Sequence, residues 1–515
     1  MRLRIPSSPC SFLKLVASVA LLTLFSFPSA SCGGSEPEPM KSRWQDTLNA
    51  EYEVWQLPAE DLGMAGLRYQ RRFLNGCSVG LETWMAMDGD RGGFITLGLD
   101  GGYRFALSEG VSVDTGCFIG AGGGRGGYRL SGGGLMLRPH IALSAPLKDV
   151  GEIAAGVSYV VFPNGGTIES VQPFIHVALP FSYESRSSWQ RRLGGGGNTV
   201  YGGGSWPNSL ALITRYLVAD DSSRTEAGAP QDDLALVGIE CKSYLTDRVY
   251  FKLETEGAAQ GDSSGYMQIL AGSGLQIPVH EDWFAHTDFS VGGGGGGGVN
   301  TGGGLLLDAG LGISWYFNPK MFVGLSGGYM TAPDGMLDVW SGAVKIGYQA
   351  AHTPIKTTTV SKNGLQVERA RLRLVHQEYM PASANWRRHH ADLNVSNLGV
   401  QLDAFFNENW YVSGQGIAAQ DGYAGAYMAG LVGCGVERDL TQRLFFSMEG
   451  LVGAAGGGGL DTGPGLVWQG NMGLGLKIND TFSVTASIGR MGAFEGPFLA
   501  DVLGCSLNYN FVLFD

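Results

Sequence analysis

Residues 305–317, LLLDAGLGISWYF, set Leu307, Ala309, Leu311, Ile313, Trp315 and Phe317 on one parity and Asp308, Gly310, Gly312 and Ser314 on the other. A period of two predicts a β-strand with one apolar face and one polar or small face. The same alternation runs through 135–147 and 466–478, and it returns near the end with Leu503, Cys505, Leu507, Tyr509, Phe511 and Leu513 on one side. Beyond residue 31 no stretch approaches the roughly 18 consecutive apolar residues of a membrane-spanning helix. The pattern therefore predicts an all-β chain.

The alternation is organised in three similar stretches, 46–183, 209–348 and 364–515. Leu81-Glu82-Thr83 recurs as Leu253-Glu254-Thr255, and Ala258-Ala259-Gln260 recurs as Ala418-Ala419-Gln420. Each stretch also carries a glycine-rich segment in the same place, at 120–134, 292–304 and 453–465. Units this long exceed solenoid periods, and each holds about eight alternating segments, in line with strands of ordinary length. In the second unit these are expected to begin near Leu210, Leu234, Val249, Tyr266, Trp283, Leu305, Met321 and Ser341. Every other connection is tight and rich in turn formers: Asn75-Gly76, Thr246-Asp247, Asn318-Pro319, Asn407-Glu408-Asn409 and Asn479-Asp480. The intervening ones, such as 220–233 and 382–394, are more often long.

The first 31 residues have a different purpose. Arg2, Arg4 and Lys14 precede the apolar run 15–27, and small residues follow at 29–31, which is the layout of an export signal. Cys32 begins Cys-Gly-Gly-Ser and resembles the acylated cysteine of bacterial lipoproteins, although Ser29 stands where leucine is usual. Removing 1–31 leaves 32 basic and 47 acidic residues, a formal charge of -15, which argues against a nucleic-acid partner. The five cysteines after Cys32 match no disulfide framework or metal spacing and are read as packing residues. Glycine contributes 83 of 515 residues and charged residues only 16%, too little charge for an ordinary water-soluble enzyme.

Taken together, alternating strands with short turns on one side and longer loops on the other resemble the bacterial outer-membrane β-barrels, in particular the small eight-stranded ones, used three times. The resemblance rests on pattern and implies antiparallel up-and-down barrels in the outer membrane of a Gram-negative bacterium. It further implies lipid and the barrel-assembly machinery as partners, and no cofactor. Barrels of this class commonly end on an aromatic residue; here Phe514 is penultimate and Asp515 follows. The physical reason for a barrel is that hydrocarbon offers backbone amides no partners, and a closed sheet pairs them all. A secreted β-sandwich would show the same alternation but seldom this asymmetry of loops. The predicted organisation is a signal (1–31), an N-terminal linker (32–45), repeats at 46–183, 209–348 and 364–515, and linkers at 184–208, which is glycine-rich, and 349–363. Three barrels are favoured over one of about 24 strands because these linkers are much longer than the turns on the same side, and because inward glycines such as Gly80, Gly116, Gly310 and Gly312 suit a crowded interior.

The parity that faces inward carries the candidate chemistry. It includes Glu82, Asp114, Arg138 and His140 in the first unit, and Lys252, Glu254, Glu256, His286, Asp288 and Asp308 in the second. The third adds Arg369, Arg371, Arg373, Glu449 and Gln469. Charges in a dry interior must pair or meet water. They are read as structural ion pairs filling narrow barrels, against the alternative of a charged lumen that selects solutes; the partners considered beyond lipid are small solutes or a surface partner. Arg369, Arg371 and Arg373 form a basic ladder that faces either anionic solutes or the acids of a neighbouring strand. No glycine segment reads GxxxxGK[ST] or sits as GxGxxG between strand and helix, so these segments are expected to be tall or mobile hairpins. His389 and His390 at a polar loop tip are read as solvated, with no metal site expected. No GxSxG occurs and the eight histidines share no position among the units, so no catalytic residues are assigned. Inward His140 or His176 beside a serine is the route a lipid-modifying or proteolytic enzyme would need.

Overall fold

The computed structural model describes residues 44–511 except 58–59, 90–91, 109, 125–132, 148–150, 181–208, 245–247, 319, 350–368 and 480. The predicted signal, Cys32, nearly all of the three predicted linkers and Phe514 lie outside these residues.

Twenty-four strands follow one another along the chain. The first unit contains β1 (Trp44–Gln56), β2 (Asp61–Phe73), β3 (Cys77–Asp88) and β4 (Ile95–Ser108). It continues with β5 (Val111–Gly123), β6 (Leu135–Leu147), β7 (Gly151–Val161) and β8 (Glu169–Pro180). The second contains β9 (Ser209–Ala219), β10 (Leu234–Tyr244), β11 (Val249–Gln260) and β12 (Met267–His280). After these come β13 (Trp283–Gly295), β14 (Leu305–Asn318), β15 (Met321–Thr331) and β16 (Asp338–Gln349). The third contains β17 (Arg369–Pro381), β18 (Val395–Phe405), β19 (Trp410–Asp421) and β20 (Met428–Asp439). It ends with β21 (Leu444–Gly456), β22 (Leu466–Lys477), β23 (Phe482–Ala493) and β24 (Leu499–Phe511).

Each unit closes on itself as an antiparallel eight-stranded barrel. First and last strands pair in every case: Leu48 opposite Leu179, Leu212 opposite Ile346, and Leu374 opposite Leu507. Because β9 bonds β16 and β10 rather than β8, the single wide barrel does not form. In the second unit the starts agree with the alternation to within a few residues; β16 begins earlier than expected, at Asp338.

The apolar parity faces outward, as the resemblance implies: Leu311 is 70% exposed and Ile313 37%, while Leu306 and Asp308 on the other parity are buried. An apolar surface this broad is unfavourable in water and favourable against acyl chains. The tight turns are held by their asparagines. The backbone N–H groups of Lys320 and Met321 donate to Asn318 Oδ1 at 2.9 and 2.8 Å, those of Asn409 and Trp410 to Asn407 Oδ1 at 2.9 and 2.8 Å, and those of Thr481 and Phe482 to Asn479 Oδ1 at 2.9 and 2.7 Å. This is Asx-turn chemistry.

The three barrels also pack on one another in a ring. The third strand of each meets the fifth and sixth strands of the next: β3 on β13 and β14, β11 on β21 and β22, β19 on β5 and β6. Head-to-tail contacts that close after three units generate a cyclic assembly. Here one chain supplies all three copies.

The glycine-rich segments of the second and third units build two of these seams, which corrects their reading as tall or mobile hairpins; residues 125–132 of the first segment lie outside the described residues. Gly292–Gly295 complete β13 and Gly453–Gly456 complete β21. Beyond them, the tips share one conformation. Gly296, Gly297, Gly298, Gly302 and Gly304 have φ of 93, 60, 81, 57 and 100°, and Gly457, Gly458, Gly459, Gly463 and Gly465 repeat it with 88, 59, 76, 60 and 113°. Side-chain-bearing residues rarely adopt such values. Close approach adds a second reason: a Cβ on Gly303 of the second barrel would lie 2.9 Å from Asp88 Cα of the first, and one on Gly456 of the third 2.6 Å from Gly265 Cα of the second.

Candidate functional site

Each barrel interior has a layer of charge in its middle and an apolar plug toward the long loops. In the first barrel the plug holds Trp55, Phe94 and Phe162, with ring centroids 5.7–6.3 Å apart. In the third it holds Tyr379, Trp386, Tyr427 and Phe498, with Trp386 stacked on Phe498 at 6.1 Å.

Arg138 of β6 is fully buried at the centre of the first barrel. Its Nη2 lies 3.0 Å from Glu51 and 2.9 Å from Glu53, and its guanidinium sits 4.3 Å from the Trp84 ring centroid. Arg68 contacts Glu51 and lies 3.0 Å from Asp100 and 3.5 Å from Glu82. His140 lies 3.7 Å from Asp100, and His176 3.7 Å from Glu51. Gly116 makes room for His140, since a Cβ there would fall 2.8 Å from its ring. Asp114 belongs to a separate group nearer the turns, 2.5 Å from Arg104, which also reaches Glu152 at 2.7 Å.

The second barrel solves the same problem with different residues. Arg215 of β9 lies 3.0 Å from Glu254, 3.1 Å from Glu256 and 3.5 Å from Asp308. Lys252 contacts Asp288 and lies 3.2 Å from Glu254. Lys345 contacts Glu240 and lies 3.3 Å from Glu254. His286 is buried against Gly312, where a Cβ would fall 2.6 Å from its ring.

In the third barrel the basic ladder meets acids. Arg371 lies 2.7 Å from Asp403 and contacts Glu437, and Arg373 lies 2.6 Å from Asp403 and 3.3 Å from Glu449. Arg369 begins β17, and its side chain lies outside the described residues. Gln401, Tyr411 and Asn471 donate to the Glu449 carboxylate at 3.0, 3.1 and 3.0 Å. Gln469 is buried beside Asn471, to which its Nε2 donates at 3.1 Å. A polar cavity lies alongside, between Arg373 and Gln377 of β17 and the hydroxyls of Thr485, Ser487 and Ser506.

The inward parity thus placed the candidate charges inside. What it missed were their partners: Glu51, Glu53, Arg68, Asp100, Arg215, Glu240, Lys345, Asp403 and Glu437, all buried. The same parity rule applied to β1, β2, β4, β9, β10, β16, β18 and β20 would have found them. His390 stacks on Tyr423 with centroids 4.8 Å apart, and no group of metal-ligating residues forms among the described residues. Cys77, Cys117, Cys241, Cys434 and Cys505 are free thiols.

The seams carry polar contacts of their own. Gly92 N–H donates to Gly302 O at 2.9 Å, Ser264 Oγ lies 3.1 Å from Thr462 Oγ1, and Gly134 N–H donates to Ala419 O at 2.8 Å. Each joins a different pair of barrels. On the third seam, Asn164 Nδ2 donates to Gln420 O at 2.8 Å, and the Gln420 amide reaches Ser396 Oγ at 3.1 Å and His376 Nδ1 at 3.0 Å.

Neither a family model nor a curated protein matches the sequence. Among solved structures the chain is similar to OccK11 (OpdR) of Pseudomonas aeruginosa, at 11% identity over 92% of this chain and 96% of that one, with a TM-score of 0.21. It is also similar to the siderophore receptor PirA of Acinetobacter baumannii, at 10% identity over 92% and 81%, with a TM-score of 0.27. A designed transmembrane β-barrel aligns with 28% of this chain and 96% of its own length, at 13% identity and a TM-score of 0.20. TM-scores this low define no shared whole-chain architecture. The chain's own geometry sets the class: closed antiparallel barrels with an apolar exterior, the form of outer-membrane β-barrels, three in tandem.

Proposed function

We propose that this chain is an integral protein of a Gram-negative outer membrane with a structural or surface-interaction role and no catalytic activity. The observation that carries this reading is the filling of the barrels: buried ion pairs span the middle of each, and aromatic or aliphatic side chains close the loop end. Eight strands leave an interior that side chains can fill, and here they do so. The ring of three then makes one broad, stiff body whose loops all emerge on the same side. Short turns facing the periplasm place those loops at the cell surface, where a partner would meet them. Against catalysis, neither His140 nor His176 has a serine among its hydrogen-bond or ion-pair partners in the described residues; each faces a carboxylate.

Single-channel recording on purified protein whose folding is shown by heat-modifiable gel mobility tests the reading. Silence or small erratic events are expected. Large stable conductance steps would overturn it, because only a broad water-filled lumen carries such currents.

A further inference from the structure

Two loops of the third barrel carry backbone strain that their hairpins do not require. Among the described residues, only His390, Tyr423 and Ala426 are non-glycine residues in the left-handed region, with φ of 55, 55 and 75°. His390 lies between β17 and β18, and the other two lie between β19 and β20. The matching hairpin of the second barrel joins β11 to β12. There Tyr266 N–H donates to Ser263 O at 3.0 Å, as Tyr427 N–H donates to Ala424 O at 2.9 Å, and Gly261 and Gly422 share φ of 101 and 97°. Asp262 therefore stands where the third barrel has Tyr423, and its backbone stays out of the left-handed region. A bulky residue at positive φ costs folding stability and persists only where its surroundings impose it. Arg387 imposes it here: this side chain is buried, and its Nη1 and Nη2 donate to Gly422 O and Tyr423 O at 2.9 Å each.

The result is a flat aromatic face on the loops. The His390 and Tyr423 rings stack with centroids 4.8 Å apart and planes inclined by 27°, and Tyr423 is 54% exposed. Arg388, His389 and Asp392 are exposed beside His390 in the chain, and their side chains make no hydrogen bond or ion pair among the described residues. We propose that this face binds a sugar ring of a cell-surface glycan. A pyranose presents C–H faces to aromatic rings, whose own faces are electron-rich. Its hydroxyls find donors in Arg388, donors or acceptors in His389 and acceptors in Asp392. A protein partner fits less well, since such interfaces bury about 800 Å² a side around an apolar core, and the neighbours of these rings in the chain are polar. The site rests on the reading above that the loops lie at the cell surface.

The test uses the full chain, labelled with fluorotyrosine and folded in a detergent without a sugar headgroup, and the core oligosaccharide of lipopolysaccharide as the probe. Saturation transfer from protein to oligosaccharide is expected, together with a saturable fluorine shift of the Tyr423 ring. Tyr423→Gly removes both the ring and the strain, so it is expected to lose the transfer and to melt above the wild type. Tyr423→Asn, which tolerates the left-handed conformation, is the second variant should the first fail to show heat-modifiable mobility. A ring that does not respond, or a folded variant that keeps the transfer, overturns the site. A folded variant that melts below the wild type also overturns it, because the ring would then serve packing. Labelling of Tyr423→Cys on intact cells by an impermeant maleimide, above the wild-type background, checks the exposure separately: without it the surface reading fails, and the oligosaccharide response still decides the site.

Discussion

The interior of the barrels and the seams between them were built by opposite means. Inside, each repeat pairs its buried acids with bases of its own: arginines from β2 and β6 in the first barrel, Arg215 with three lysines in the second, two arginines from β17 in the third. At the seams, the hairpins of the second and third repeats keep one sequence of left-handed glycines, and Thr301 and Thr462 donate alike to Gly294 O and Ala455 O at 2.9 and 3.0 Å. Charge pairing has many solutions, since any acid within reach of a base will serve. Close backbone packing has few, since a Cβ on most of these glycines would strike the hairpin's own barrel, and one on Gly304 or Gly465 would strike the neighbouring barrel at Ala86 or Ala258. The seam hairpin is therefore the part in which the second and third repeats are interchangeable, and the lumen is the part in which they differ.

The strongest way to break this contrast is Arg371→Glu. It sets a third carboxylate between Asp403 and Glu437 and leaves Arg373 as the main nearby cation. Disrupting a buried pair costs about 3–5 kcal/mol, so the heat-modifiable form is expected to disappear or to melt far below the wild type. Unchanged melting would mean that the charged layer is not what holds the lumen. A smaller, matched effect is expected from Gly297→Val and Gly458→Val, whose φ values of 60 and 59° disfavour a branched side chain. Each should cost about 1–3 kcal/mol, and the two should agree closely. Disulfide formation between Ser264→Cys and Thr462→Cys, whose hydroxyls are 3.1 Å apart, should fall with Gly458→Val while each barrel keeps its strands by circular dichroism. Unequal effects would end the claim that the two hairpins are the same device. The least effect is expected from Arg490→Ala on the outer face, where the pair with Asp501 is about half exposed. Such pairs contribute about 0–1 kcal/mol, so thermal melting should barely move, and a large shift would show that outward charges matter as much as inward ones.

Much of this was legible residue by residue. Alternation placed Glu82, Arg138, Glu254 and Asp308 inside and Leu311 and Ile313 outside, and asparagine turns such as Asn318 and Asn479 fell where strands reverse. The partners were harder. Glu53 and Arg138 are 85 residues apart, and Ser264 and Thr462 are 198 apart. No periodicity relates such positions. The glycine segments were misread for a related reason: composition reports freedom from a Cβ but not what would strike one.

The sequence by itself determined the strands, their two faces, their turns and their threefold recurrence, because a period of two and the conformations of asparagine and glycine are local properties. Only the tertiary structure decided that each unit closes at eight strands, which base answers which acid, and that the three barrels join in a ring. Those outcomes depend on hydrogen bonds, ion pairs and backbone approaches between residues far apart in the chain, and these exist only once the sheets have curled and met.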